Sequence, residues 1–464
     1  MKILSKTLSY LFVYFILGTG TTFANITDNQ TDQLSPVFPN SKLPFRVVIQ
    51  KTNLELPKGL HSGMVGVYNG LWIFIAGRTN GLHGFGADPF PPGSQNTDIY
   101  VINPTKGSYS SRSLADPSSG LTQQQIDSLA VTSPQGYQDG NTLYMTGGYG
   151  IDTGTGTYTT KPILTAINLP GIVKWVLYPN NKSYSVVKNI KQITSSTFQV
   201  AGGEMFRVGS LTQLVFGQNF TGVYTSGSNG EYTQQVRIFQ IMNKNGNLSV
   251  KFNYSKPFYP DANYRRRDLN VMPAILSNNN AIQYGSIAYA GVFTNTAGGG
   301  VWTVPVVIDM TGKPTMADPN SPATFKQALN QYVCASAGLY SRKNRSMYNI
   351  FFGGMTYGYY SGTTFQTDAE IPFTNQVTTV KMDKNGNFTQ YLMDSRYPTL
   401  YSATINPGNP LLFGAGAYFI PNNTLPHFAN GVISLDNLNR TAVIGYIVGG
   451  IASTLPNTNV DADS

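Results

Sequence analysis

Short apolar runs, each a strand long, are separated along this chain by turns rich in Gly, Asn and Asp. The stretch LHSGMVGVYNGLWIFIAGRTNG (60–81) shows the unit: two β-rich runs meet at Asn69-Gly70, and the second stops at Ala76-Gly77. An Asn-Gly pair between such runs predicts a tight hairpin, because both central residues of the favoured turn need positive φ. Runs stopped by glycine recur as LWIFIAG (Gly77), TLYMTGG (Gly148), TQLVFG (Gly217), SIAYAG (Gly291), YNIFFGG (Gly354) and PLLFG (Gly414). Their spacing, roughly 60 to 75 residues, is that of a repeat. After each run comes an alternating third strand, read as TDIYVINP, PILTAINL, QVRIFQIM, TVPVVIDM, QVTTVKMD and NGVISLD. A fourth follows a polar turn, as in MNKNGNLSVKFNY and MDKNGNFTQYLMD. Six repeats of four antiparallel strands predict an all-β fold, a β-propeller whose blades cover one another's apolar faces.

An apolar strand ending in Gly-Gly resembles the kelch repeat. The doublet is intact at Gly147-Gly148 and Gly353-Gly354 and degraded at Ala76-Gly77, Phe216-Gly217 and Ala290-Gly291. The resemblance implies a six-bladed kelch-like propeller of the galactose-oxidase-like superfamily, closed by an N-terminal strand. PFRVVIQ (44–50) has the position for that strand and is expected to pair with an element from residues 429–451. TAVIGYIVGGI (441–451) competes for the same edge. The copper-radical oxidases of that superfamily use a Tyr-His doublet; His61, His83 and His427 follow Leu60, Leu82 and Pro426, so that chemistry is not expected here.

Residues 1–24 carry Lys2, Lys6, an apolar run from Leu8 to Leu17 and a small-residue ending at Ala24, the pattern of a cleaved secretory signal. The expected order is then a flexible segment over 25–43, the propeller over 44–452 and a flexible tail over 453–464, in a secreted chain, extracellular or periplasmic. The mature part is expected to hold no membrane span and to be a monomer. Forty-eight glycines, 29 tyrosines and only 11% charged residues fit a turn-rich β protein. The net charge of +9 mildly favours anionic surfaces or polysaccharides, without pointing to nucleic acid. A single cysteine, Cys334, makes no internal disulfide and is expected to be a small buried thiol. Ten N-x-S/T sequons, Asn219, Asn253 and Asn439 among them, decide nothing about origin in a chain so rich in Asn, Ser and Thr.

Loops after the second strands emerge on one face of a propeller, where a rigid scaffold presents binding groups. That face is expected to collect Arg78, His83, Asp88, Tyr149, Tyr357, Tyr359 and Tyr360 as ligand-binding residues. The loop tips are expected to lie outside the blade cores, so that Tyr357→Ala weakens binding without loss of stability. Glu204, Arg207 and His61 are the candidates for catalysis should they share a pocket. Arg265-Arg266-Arg267 offers forks for a sulfate or carboxylate, but a short basic run reads more simply as a solvated one. No metal site or cofactor is expected. No G-x-S-x-G, HExxH or Asp-box motif is present. A binding module for carbohydrate or a surface protein follows. The alternatives are a carbohydrate-active enzyme, mutarotase- or lyase-like, with its site in the mouth, and a structural or adhesive surface protein.

Overall fold

The structure, a computed structural model, describes residues 34–457 except 55, 57, 85–87, 226–227, 229, 245, 279–280, 295–299, 404 and 439–440. The signal segment, the sequons Asn25, Asn29 and Asn439 and the end of the tail lie outside these residues.

The alternating runs form five antiparallel four-stranded meanders, the fifth extended at both edges by short parallel strands into a six-stranded sheet. Sheet one holds Met64–Tyr68, Leu71–Ile75, Asp98–Asn103 and Ser108–Ser113; sheet two Gln135–Asp139, Thr142–Thr146, Ile163–Asn168 and Ile190–Thr194. Sheet three holds Glu204–Val208, Leu211–Val215, Val236–Lys244 and Asn247–Lys256; sheet four Asn270–Asn278, Ala281–Tyr289, Val306–Ile308 and Pro314–Met316. Sheet five holds Ala335–Ser341, Ser346–Phe352, Gln376–Met382 and Phe388–Arg396. The hairpin read from Asn69-Gly70 is present, with φ of 50° and 74°. Two short α-helices occur among the described residues, neither expected from the strand pattern. Asn168 caps Leu169–Leu177, and Leu169, Ile172 and Val173 of this helix pack into the core shared by sheets one and two.

Alternation along each strand sends successive side chains to opposite faces, so both faces of a sheet are apolar. On Leu71–Ile75, Ile73 and Ile75 join Leu143 and Met145 of sheet two. Trp72 and Phe74 turn the other way, toward Tyr418, Ile420 and Val448. Further shared cores lie between sheets two and three (Leu164 with Leu214), three and four (Val215 with Val306), and four and five (Ile287 with Phe351). The insertion at 422–444 joins the last of these, with Phe428 and Val432 packed beside Met272 and Tyr340.

The sixth repeat differs from its sequence reading. PLLFG does not end a second strand; Leu412–Ala415 pairs with Ile451–Ser453. The hairpin-like pair is Tyr418–Pro421 with Gly445–Val448, interrupted by that insertion, and its stop is Gly449-Gly450. NGVISLD contributes only Ile433–Ser434, which runs parallel to the first strand of sheet five. Backbone conformation makes the equivalence plain. Ala76-Gly77, Gly147-Gly148, Phe216-Gly217, Ala290-Gly291, Gly353-Gly354 and Gly449-Gly450 all hold both residues at φ between 52° and 98°. A β-carbon on Gly147 would stand 1.9 Å from the Val200 carbonyl oxygen, and one on Gly449 2.2 Å from that of Leu60.

A second set of left-handed residues precedes each first strand: Ser62, Ser133, Gly202, Asp268, Val333 and Gly416. Their amides and carbonyls link. Ser62 donates to Gly416 at 3.0 Å, Ser133 to Ser62 at 2.8 Å, Gly202 to Ser133 at 3.2 Å, Asp268 to Gly202 at 2.7 Å and Gly416 to Val333 at 2.6 Å.

Residues 44–50, expected to pair as a closing strand, have no ladder. The stretch is extended and alternates: Leu43, Phe45, Val47 and Ile49 turn toward the core holding Tyr348, Phe419 and Ile447, while Val48 is 74% exposed. The strand that does pair is Val37–Pro39, parallel to Phe388–Arg396, inside the stretch read as flexible. Cys334 is buried, and burial pushes its thiol up to about 12, which leaves it inert. No helix among the described residues is long and apolar enough to cross a membrane.

Candidate functional site

His61 sits just before the left-handed Ser62, and its backbone pairs with Arg78, the residue after the first stop doublet. This bridge between first-strand entry and second-strand exit brings three of the expected residues together. The His61 ring is held by the Ser62 hydroxyl at Nδ1 (2.9 Å) and donates from Nε2 to the Asn80 carbonyl (2.7 Å). Burial, then the adjacent Arg78 charge, lowers its pKa to about 4, so the ring is neutral. His83 is likewise held at about 4, by burial and by the charges of Arg267 and Arg78. Its ring stacks on Phe90 at 5.0 Å and meets Tyr224 edge-on at 4.9 Å.

Arg78 is 1% exposed. Its Nε and Nη2 share one acceptor, Asn80 Oδ1, at 3.0 and 2.8 Å, and its guanidinium lies 4.5 Å over Phe90. Nη1 is buried without a partner, and no carboxylate pairs with Arg78 among the described residues. Asp88 is exposed and acts on it only as a distant charge. Burial lowers the Arg78 pKa to about 10, still charged at neutral pH.

Arg266 and Arg267 of the basic run are buried and Arg265 is half-buried, contrary to the solvated reading. Arg266 is fully enclosed, donates to the Ala290 and Val304 carbonyls and lies 4.3 Å over Trp302, so it serves the core. Arg267 donates to the Tyr224 hydroxyl at 2.6 Å, while its Nε stands 3.5 Å from Asp268 Oδ2. Arg267 and Tyr224 thus join His61, Arg78 and His83 in one basic, aromatic cluster. Tyr149 borders it: its ring meets Phe90 at 5.3 Å and its hydroxyl donates to the Gly222 carbonyl at 2.6 Å.

The remaining candidates stand apart. Tyr357, 3% exposed, packs with Val292, Val301 and Tyr332, so its substitution costs stability and the expectation of a loop tip outside the cores is corrected. Tyr359 and Tyr360 belong to the small hairpin of Gly358–Ser361 with Thr364–Thr367. Arg207 is exposed, paired with Asp139 and bonded to the Gly209 carbonyl. Glu204 is three residues earlier on the same strand, hence on its opposite face, about 10 Å along it. Glu204, Arg207 and His61 therefore form no common pocket.

Burial raises the Glu204 pKa to about 8 from 4.5. Between those values the folded chain holds a proton that the unfolded chain does not, so this residue's contribution makes stability fall as pH rises from about 4.5 to 8. Glu204→Gln should therefore stabilise the protein by about 1–3 kcal/mol at pH 8.5 and hardly at all at pH 4.5, as read from urea midpoints. An equal effect at both values would place the carboxyl in water.

No group of three or more metal-ligating side chains occurs among the described residues. Neither a family model nor a curated protein sequence matches this chain. A solved structure described as "Structure of YjhT" is similar to 72% of this chain and 98% of its own, at 13% identity and a TM-score of 0.30.

Proposed function

We propose that this chain is an exported, six-bladed kelch-like β-propeller acting as a binding module, and that its mouth takes an anionic group, the carboxylate or sulfate of a saccharide, between Arg78, His83 and Arg267. The ring is supported by six left-handed doublets, by the amide-to-carbonyl links through residues 333, 416, 62, 133, 202 and 268, and by contact of the last unit with sheet one. Export rests on the leader pattern.

The observation that carries the mouth is Arg78 Nη1. A buried, charged donor without a protein partner costs about 1–3 kcal/mol or more, and a bound anion would satisfy this one. A guanidinium already fixed by Asn80 and Phe90 presents its remaining edge as a fork for a planar anion. The rings of Phe90, Tyr149 and Tyr224 nearby suit the apolar faces of sugars. An enzyme using Glu204 and Arg207 is disfavoured, since the two point apart.

The test is a glycan array of the purified mature protein, followed by calorimetry on the best acidic glycan. Arg78→Lys and Arg267→Gln should each weaken binding about 10- to 100-fold, the loss of a charge-assisted hydrogen bond, with unchanged circular dichroism. Retention of no acidic glycan, or equal affinity in wild type and both variants, would move the site elsewhere.

A further inference from the structure

A second recess lies beside sheet three, with Tyr232 of its lining close enough to Arg267 to feel its charge. We propose that it binds a neutral oligosaccharide chain. It shares saccharide chemistry with the function proposed above but not the site. The cleft has a volume of about 460 Å³, within the range of small-molecule sites. Its walls come from residues 196–199, which follow the last strand of sheet two, and from the third and fourth strands of sheet three with the hairpin before them.

The lining is built rather than incidental. Arg237 Nη1 donates to the Ser196 and Thr197 carbonyls at 3.1 and 2.8 Å, and Asn253 Nδ2 donates to Thr197 Oγ1 at 2.6 Å, tying the two walls together. Thr233, 6% exposed, has a hydroxyl with no partner, and the buried Oδ1 of Asn219 has none either. Both belong to the cleft wall and lack the hydrogen bonds that buried polar atoms normally make. One cation, Arg237, faces one carboxylate, Glu231, so the cleft carries no net charge.

The turn over 257–260, whose Pro260 lines the cleft, supplies the apolar part. Gln235 Nε2 donates to the Pro257 and Phe258 carbonyls at 2.9 and 3.0 Å, holding a turn whose Phe258 and Tyr259 are 81% and 76% exposed. Their rings stand perpendicular, 4.9 Å apart, and Tyr254, which lines the cleft, is also exposed. Solvated aromatic faces next to unpaired hydroxyl and amide groups match a sugar, whose hydroxyls both donate and accept while its C–H faces stack on rings. A nucleic acid or anionic ligand would ask for more than one arginine balanced by a glutamate.

The mature protein should be titrated, by saturation-transfer NMR and calorimetry, with cellotriose, maltotriose, mannotriose, chitotriose and a galacturonate trisaccharide. At least one neutral trisaccharide should bind. Thr233→Val and the double variant Phe258→Ala/Tyr259→Ala should each weaken it at least fivefold, and Arg78→Lys should leave it unchanged. Binding of no neutral trisaccharide, or binding indifferent to the cleft variants, overturns the proposal. Binding of the galacturonate trisaccharide alone, lost with Arg78→Lys, overturns the cleft and upholds the mouth. Capture of a protein through Phe258 and Tyr259 without sugar binding also overturns it.

Discussion

Gly449→Val is expected to destabilise the protein by about 3–5 kcal/mol, enough to leave much of the chain unfolded at 37 °C. The backbone at Gly449 has φ of 67°, a conformation costly for any side chain and worst for a β-branched one. A β-carbon there stands 2.2 Å from the Leu60 carbonyl oxygen, closer than any real contact. The same carbonyl accepts from the Gly450 amide at 2.9 Å, so relieving the clash breaks a buried backbone hydrogen bond. Residues 449–450 lie near the end of the chain and Leu60 near the start of sheet one, so the contact joins the last repeat to the first. Gly140→Ala is the control: its φ is 56°, but nothing lies within 4 Å of the added carbon, and it should cost about 1 kcal/mol. Urea unfolding of both variants decides the matter. A Gly449→Val cost within 1 kcal/mol of the control would mean that the last repeat does not rest on the first.

The repeat was readable because its signals are local. A strand-long apolar run, a polar turn and a glycine stop each depend on a few neighbouring residues, so five of the six stops were placed correctly even where Ala76, Phe216 and Ala290 had replaced the first glycine. The sixth failed because two glycine-ended runs, PLLFG and GYIVGG, compete there. The choice depends on which one reaches Leu60, a contact the linear chain does not display. The helix Leu169–Leu177 was hidden for a related reason: Leu169, Ile172 and Val173 also suit a strand, and only the neighbouring sheet selects the helix.

At the site the divide is sharper. Histidines and arginines after second strands could be named, because the repeat predicts where those loops emerge. Arg266 and Arg267 were read as solvated because three adjacent basic residues ordinarily seek water. A usable sign existed in position: Arg267 and Asp268 occupy the same places before a first strand as His61 and Ser62. Tyr357 misled in the opposite direction. Its loop follows a second strand like the others, yet the ring turns inward against Val292 and Val301 rather than toward a ligand.

Replacing Leu43, Phe45, Val47 and Ile49 together with serine should destabilise the protein by about 4–6 kcal/mol, an effect comparable with the whole net stability of many domains. These side chains alternate with exposed neighbours and pack on a core drawn from sheet five and the sixth unit, where Phe45 meets Tyr348 edge-on at 5.4 Å. Each is only partly buried, so each contributes about half of the 1.5–3 kcal/mol that full burial of such a side chain provides, plus the aromatic contact. Among the described residues, Tyr418–Pro421 and Gly445–Val448 belong to no four-stranded sheet, and the extended N-terminal stretch packs on the apolar surface beside them. The cover works through side chains, since residues 44–50 form no ladder; this is why one row of the alternation matters and the other does not. Val48→Ser, on the exposed row, should change stability by no more than about 0.5 kcal/mol. The fourfold variant should also associate, because the uncovered surface of the last unit is apolar. Calorimetry with sedimentation tests both points: a fourfold variant that melts like Val48→Ser and stays monomeric would show that residues 43–49 merely lie on the surface.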